Sequence, residues 1–471
     1  MTHANNPKIN NREIPVIILY FALYCIIALS LLFRQPFGNP PDEFNRYLIP
    51  QYIAEHGTLP NGYDESIRIP AYGFSYAFQP ILPYMAQGYV MRIVQNFTDN
   101  SDIIFYSARL VDFVFGLVMA LYVLLLSKEW FKDKRLQYLF AFLTMFLPQS
   151  IFLHTYVNTD SCCMMSIAIM LYGLTRCLKN NFKYTDCLTM SVGIILCALS
   201  YYNAYGFILS CILLFIAHFL SANDGKITLE WKPFLQKGVF ISVLVLLGIS
   251  WWFIRSYILY DGDFLGMRTR DLCGALYGNE NMRPDVRITY KSMGYTIPSM
   301  VLKSDFLVLS VNSFICMFGP MIMTTATWIY RFYKFLFMGG LFLNMIPLKL
   351  KGREEHFITR PVLRVFFHAN MIMCILIPFI LSITYSYSMD YQPQGRYLMP
   401  ALLPLCYYCI KGLEFGVCFV QNIIGAINKE KPVSKWITHL LTGLSVVLIA
   451  LFVIAILVTV YGYAYPYYAS L

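Results

Sequence analysis

Composition, the spacing of apolar runs and the placement of positive charge together predict an all-α integral membrane protein with about 11 transmembrane helices. Of 471 residues, 58% are hydrophobic and only 13% charged, and the mean hydropathy is +0.55. Soluble domains carry about 25% charged residues, so a water-soluble enzyme, a disordered chain and a coiled coil are excluded. The net charge of +10, from 36 basic and 26 acidic residues, reads as a topology signal and not as a grip on nucleic acid. Most of the 13 cysteines lie inside apolar runs and none forms a CxxC pair in a polar loop. Neither a disulfide framework nor a zinc site is expected.

A spanning helix needs about 20 mostly apolar residues. Suitable runs lie near 14–33, 103–127, 136–154, 160–178, 186–202, 203–220, 238–256, 326–348, 362–386, 397–426 and 436–460. The first is too long for a signal-peptide core and no small-residue cleavage site follows it, so it is read as a retained helix. Basic residues cluster at Lys8 and Arg12, at 128–135, at Arg176, Lys179 and Lys183, and at Lys226, Lys232 and Lys237. Two further clusters are Lys349, Lys351, Arg353, Arg360 and Arg364, and Lys429, Lys431 and Lys435. Placing all of them on the cytoplasmic side puts the N-terminus inside and the C-terminus outside. Two more apolar runs then cannot cross. Residues 80–96, with Pro80, Pro83, Gln87, Arg92 and Gln95, read as interfacial, and 306–322 as membrane-dipping. The chain 1–471 is thus one polytopic membrane domain with two elaborated outer loops, 34–102 and 257–325.

The first outer loop opens Gly38-Asn-Pro-Pro-Asp42-Glu43-Phe44-Asn45-Arg46-Tyr47. Phe44, Tyr47, Leu48 and Tyr52 recur at helical spacing, which predicts a short amphipathic helix on the membrane surface, kinked at Pro50 and ended by Gly57. Its two carboxylates either cap that helix or stand where a lipid headgroup meets water. Asn158-Thr-Asp160 poses the same choice: Asp160 caps the following span, or it joins Asp42 on one face as general base and divalent-cation ligand. Arg255, within Trp251 to Asp263, and Arg396, within Gln392 to Pro400, lie at outer membrane edges. Each either snorkels or presents its fork of donors to phosphate oxygens. Inside the spans, Arg109 with Asp112 and Lys411 with Glu414 stand three residues apart and are expected to neutralise each other.

In this order, these elements resemble the GT-C superfamily of membrane glycosyltransferases. More narrowly, they resemble a bacterial multi-pass family described only as predicted membrane proteins. The carrying motifs are Pro41-Asp42-Glu43, Asn158-Thr-Asp160, Arg255…Tyr260-Asp261-Gly262-Asp263, Ser313-Phe314…Phe318-Gly319 and Gln394-Gly-Arg396-Tyr397-Leu-Met-Pro400. The chain departs from that family at Asn45 and Arg46, where relatives carry a His. The resemblance implies transfer of a sugar from a polyprenyl-phosphate donor to an acceptor glycan, lipid or polymer on the outer face of the cell membrane, in building cell-envelope polysaccharide. It also implies roles. Asp42 is the catalytic base, with Glu43 assisting; Arg46, Asn158, Arg255, Arg396 and Tyr397 bind substrate; and Asp160 is a candidate ligand for a divalent cation, Mg or Mn. The alternatives are a transporter or flippase of lipid-linked sugars and a polysaccharide polymerase or ligase. A transporter should show inverted repeats or midplane charges, whereas here the polar residues concentrate at the outer edge.

Overall fold

Long apolar runs poor in breakers fold as helices, and the prolines and glycines between them decide where each one stops. The structure is a computed structural model that describes residues 13–223, 226–348, 350, 355–427 and 435–471. Its helices are α1 (Ile14–Arg34), α2 (Glu43–His56), α3 (Leu82–Val94), α4 (Ser101–Trp130), α5 (Lys134–Met145), α6 (Pro148–Leu153), α7 (Asp160–Lys179), α8 (Tyr184–Ala198) and α9 (Tyr205–Phe219). They continue as α10 (Trp231–Leu259), α11 (Met267–Tyr277), α12 (Ile297–Lys303), α13 (Phe306–Ile315), α14 (Thr327–Met345), α15 (Pro361–Ser388), α16 (Leu402–Ile427), α17 (Lys435–Leu457) and α18 (Tyr465–Ala469). One antiparallel hairpin, β1 (Leu220–Asn223) and β2 (Lys226–Leu229), joins α9 to α10.

Among the described residues, 8 helical segments are long and apolar enough to cross a membrane: those built on α1, α4, α7, α9, α10, α15, α16 and α17. The other three expected spans take different forms. Pro148 starts a new helix and breaks the run 136–154 into α5 and α6. Helix α8 has 15 residues, roughly 22 Å at 1.5 Å per residue. Helix α14 has 19 residues but carries Arg331 and Lys334 and falls outside the eight. Helices α3 and α13, of 13 and 10 residues, are too short for a hydrocarbon core about 30 Å thick, as their interfacial reading requires.

Helix α7 is buried along almost its whole length and packs on α8 through two glycines. A Cβ at Gly173 would lie 2.5 Å from the Met190 nitrogen, and one at Gly193 would lie 2.6 Å from the Met170 nitrogen. Small residues are what let two membrane helices approach this closely.

Charge sorts the bundle into two ends. Glu13 pairs with Lys128 at 3.8 Å and with Lys134, while Glu129 pairs with Arg176 at 3.2 Å and Lys179 at 2.6 Å. The basic clusters around 128–135 and 176–183 therefore meet at one end. Glu355, just before α15, belongs there too, with Arg364, His368 and Lys411 each at 3.4 Å. The expected clusters at Lys8 and Arg12, at Lys349, Lys351 and Arg353, and at Lys429 and Lys431 lie outside the described residues. Lys411 and Glu414 pair as expected. Arg109 and Asp112 do not. Arg109 binds Glu43, and Asp112 accepts from Gln87 at 2.7 Å and Ser161 at 2.5 Å. The loop after α1 folds back over the helix and offers Arg109 a better partner than its own neighbour.

Candidate functional site

The site begins with an unusual backbone. Asp42 occupies the N-cap position of α2 with φ 61° and ψ 5°, a left-handed conformation, and its side chain makes no capping hydrogen bond. Asp is among the few residues that tolerate this region. The turn carries the carboxylate away from the helix end toward Arg396, whose Nη2 lies 2.5 Å from Asp42 Oδ2. Arg46, one turn along α2, reaches the same oxygen at 3.9 Å. The capping alternative for Asp42 is thereby set aside. Burial alone would raise the Asp42 carboxyl, but the charges of Arg396 and Arg46 outweigh it and hold the group below its ordinary value.

Arg396 is placed by a backbone contact. A Cβ at position 395 would lie 2.1 Å from the Phe314 nitrogen and 2.4 Å from the Ser310 carbonyl oxygen, so only glycine fits. The Gly395 N–H then donates to Ser313 Oγ at 2.6 Å. The Ser313-Phe314 and Gln394-Gly395-Arg396 motifs are one packing unit. The Arg396 side chain is 3% exposed, and its Nε and Nη1 have no hydrogen-bond partner among the described residues. Nη2 also donates to the Tyr397 hydroxyl, which in turn donates to Gln392. A buried guanidinium with unmet donors calls for an anion.

Arg46 ties the second motif to the first. It donates to Thr159 Oγ1 at 3.2 Å and pairs with Asp160 Oδ2 at 3.5 Å. Asp160 is the first residue of α7, with Thr159 at the cap position, so it does not cap that span. Its expected role as a metal ligand does not fit this donor set. Asp160 and Asp42 are each neutralised by guanidinium, and among the described residues no three His, Cys, Asp or Glu side chains gather to hold a metal ion.

Three further expectations are corrected. Glu43 is fully buried and faces away from Asp42. Its oxygens take Arg109 Nε at 2.8 Å and Nη2 at 2.6 Å, and the N–H groups of Gly38 and Val157 at 3.1 Å each. No oxygen is left to assist a base. Asn158 is also fully buried, donating to the Leu153 and Tyr156 carbonyls and accepting from the Ser161 N–H. It shapes the turn into α7 and does not line the cavity that holds Asp42. Arg255 donates from Nη2 to the Pro60 carbonyl at 2.7 Å and stacks on Trp252, while its buried Nη1 has no partner among the described residues; it does not line the cavity that holds Asp42.

That cavity has a volume of about 310 Å³ and brings together Asp42, Arg46, Arg396 and Tyr397. Its wall also includes residues the sequence did not single out, among them Tyr72 and Tyr76 of the first outer loop, Arg270 and Arg287 of the second, and Asp390 beyond α15. One signal was available. Arg270 and Arg287 are positive residues in a loop placed outside, against the usual bias.

Residues 55–405 match the DUF2142 family, described as a predicted membrane protein. No curated protein matches the chain in sequence. Among solved structures, the chain is similar to ArnT from Cupriavidus metallidurans bound to undecaprenyl phosphate, with a TM-score of 0.51, 14% identity, and 95% of this chain and 71% of that one covered. It is also similar to the apo oligosaccharyltransferase from Archaeoglobus fulgidus, with a TM-score of 0.50, 16% identity, and 94% and 55% covered. The chain spans about half the length of that archaeal protein. At such identities the likeness is one of fold: an all-helical membrane protein with the GT-C architecture. The match over most of its length places the chain in the DUF2142 family of predicted membrane proteins.

Proposed function

We propose that the protein is a membrane glycosyltransferase that takes a sugar from a polyprenyl-phosphate donor and transfers it to a glycan, lipid or polymer acceptor. The observation that carries this reading is the Asp42–Arg396 pair at a cavity wall, with two further Arg396 nitrogens unpaired and buried. A carboxylate beside a phosphate-binding guanidinium is the pair a sugar displacement needs. Asp42 accepts the proton of the acceptor hydroxyl as its oxygen attacks the anomeric carbon. The bond from that carbon to the phosphate oxygen breaks, and the polyprenyl phosphate leaves with its charge held by Arg396. The undecaprenyl phosphate named with the similar ArnT structure supports a lipid-linked donor. The site lies at the end of the bundle opposite the basic clusters, which supports an outward-facing site and a cytoplasmic N-terminus. Asp42 and Asp160 are each paired with arginine, so the reading assigns no step to a divalent cation.

The test is transfer in membranes from radiolabelled polyprenyl-phosphate sugars by the full chain and by Asp42→Asn. Loss of transfer with donor binding retained supports the base assignment, and full turnover by Asp42→Asn sinks it. Movement of the lipid-linked sugar across proteoliposomes without any transfer would instead identify a flippase.

A further inference from the structure

The two outer loops are pressed together where no side chain fits. A Cβ at Gly73 would lie 2.1 Å from the Gly278 nitrogen, and the Asn279 N–H donates to the Ala71 carbonyl at 3.1 Å. Gly266, at φ 69°, lies so close to the Phe78 carbonyl oxygen that a Cβ would sit 2.2 Å from it, and the Thr269 N–H donates to Asp263 at 2.7 Å. These contacts fix α11 and the segment after it against Tyr72 and Phe74. Two guanidiniums then share one aromatic wall of the cavity: Arg270 at 5.7 Å from the Phe74 ring, and Arg287 at 5.1 Å from Tyr72 and 5.9 Å from Phe74.

The two arginines differ in how their charge is met. Arg270 pairs with Asp271 at 2.7 Å. Arg287 donates from Nε to the Met282 carbonyl at 2.6 Å and has no carboxylate within ion-pairing distance among the described residues. Asp390 lines the same cavity, accepting from Gln392 through one oxygen at 2.9 Å, and its charge acts on Arg287 from beyond ion-pairing distance. The cavity thus holds a second positive centre, built from different elements than the Arg46–Arg396 pair. Tyr72 feels Asp390, Asp42 and Arg287 together, so this centre and the candidate base face one space.

We infer that Arg287, with Arg270 beside it on the Tyr72–Phe74 wall, recognises an anionic group, carboxylate or phosphate, on the acceptor saccharide. The inference rests on the transferase reading above. Aromatic faces pack against sugar rings, and a guanidinium at their edge selects a ring that bears a negative charge. The same chemistry would suit the second phosphate of a diphosphate-linked donor. Its placement on the outer-loop wall, on different elements from the Arg396 that would take the donor phosphate, favours the acceptor.

The experiment measures binding to the full chain in nanodiscs, wild type and Arg287→Gln, with Arg287→Lys as the conservative variant. The probes are a uronate-containing tetrasaccharide, its carboxyl-reduced neutral counterpart, a phosphodiester-linked oligosaccharide, undecaprenyl phosphate and undecaprenyl diphosphate. The expected result is at least tenfold tighter binding of one anionic saccharide than of the neutral one. Arg287→Gln should erase that preference, Arg287→Lys should restore part of it, and undecaprenyl phosphate binding should hold throughout. Equal binding of charged and neutral saccharides overturns the inference. So does a loss in Arg287→Gln confined to undecaprenyl diphosphate, which would move Arg287 to the donor. Failure of wild type to bind either undecaprenyl compound would instead overturn the transferase reading itself.

Discussion

Changing Glu43 to Gln removes the carboxylate from a guanidinium that is itself wholly enclosed. Both side chains are 0% exposed and joined by two contacts of 2.6 and 2.8 Å. Arg109 keeps carbonyl partners at Leu32 and Gln35, each at 2.8 Å, and at Pro36 at 3.2 Å. No carbonyl neutralises its charge. Stripping one partner from such a buried pair costs about 3–5 kcal/mol, because the other charge stays behind in low dielectric. Glu43→Gln should therefore lower the melting temperature of the purified protein by several degrees. The double variant Glu43→Gln with Arg109→Met, which removes both charges, should recover most of that loss. Thermal unfolding of wild type and both variants is read beside donor turnover. If Glu43→Gln unfolds like wild type yet loses turnover, Glu43 acts on substrate and its placement as scaffold is wrong.

Three further outcomes follow from the same geometry. Asp42 is depressed below its ordinary value of about 3.9, so kcat/KM should stay flat as pH falls to about 5. In Arg396→Gln only the more distant Arg46 is left to offset burial, so the acid limb should move upward; an unmoved limb would break the link between these residues. Glu355 is pushed up by burial, but His368 and Lys411 pull it down to about 2. Its stabilising effect is complete above the unfolded value of about 4.3 and is lost as pH drops from there through about 2, a total on the order of 3 kcal/mol. Glu355→Gln should abolish that part of the acid sensitivity in a pH series of melting curves. Finally, chelation with EDTA should leave transfer unchanged, since Arg46 occupies the carboxylate a cation would need. Restoration by Mg of a chelated, inactive protein would refute it.

What the sequence made legible followed from periodicity and breakers. The short helix α2, ended at Gly57, and the short α3 and α13 were readable from spacing and length, although α2 buries Glu43, Arg46, Ile49 and Ile53 and not the Phe44 face the spacing suggested. The convergence of Asp42 with Arg396 across 354 residues of chain was readable only through motif order. The roles of neighbours were not. Asp42 and Glu43 are adjacent, yet Asp42 is a left-handed cap residue and Glu43 the first residue of the helix, and one faces the cavity while the other faces the core. The expected Arg109–Asp112 pair failed because helical spacing says nothing about a loop that folds back over the helix. Arg255 was taken by a backbone carbonyl, a partner that leaves no mark in sequence. Arg270 lies on the short α11 and Arg287 in the irregular segment after it, and both are seated by turns at Gly73, Gly266 and Gly278 that no period reveals.

Arg396 has donors for two acids, and on the proposed mechanism that couples the two halves of the reaction. Its Nη2 holds Asp42, while Nε and Nη1 remain open. Before donor binds, the guanidinium charge falls mainly on Asp42, and the depressed carboxylate is a poor base. A phosphate taking the open nitrogens draws on the same charge and adds its own negative charge nearby. Both effects raise the Asp42 value toward neutrality. The base therefore gains strength only once the donor is seated. The left-handed backbone at Asp42 costs on the order of 1–3 kcal/mol, and it is what keeps the carboxylate on Arg396 and off the helix end. A capping conformation would relieve that strain, but it would leave the Arg396 charge without its carboxylate and the base unresponsive to donor.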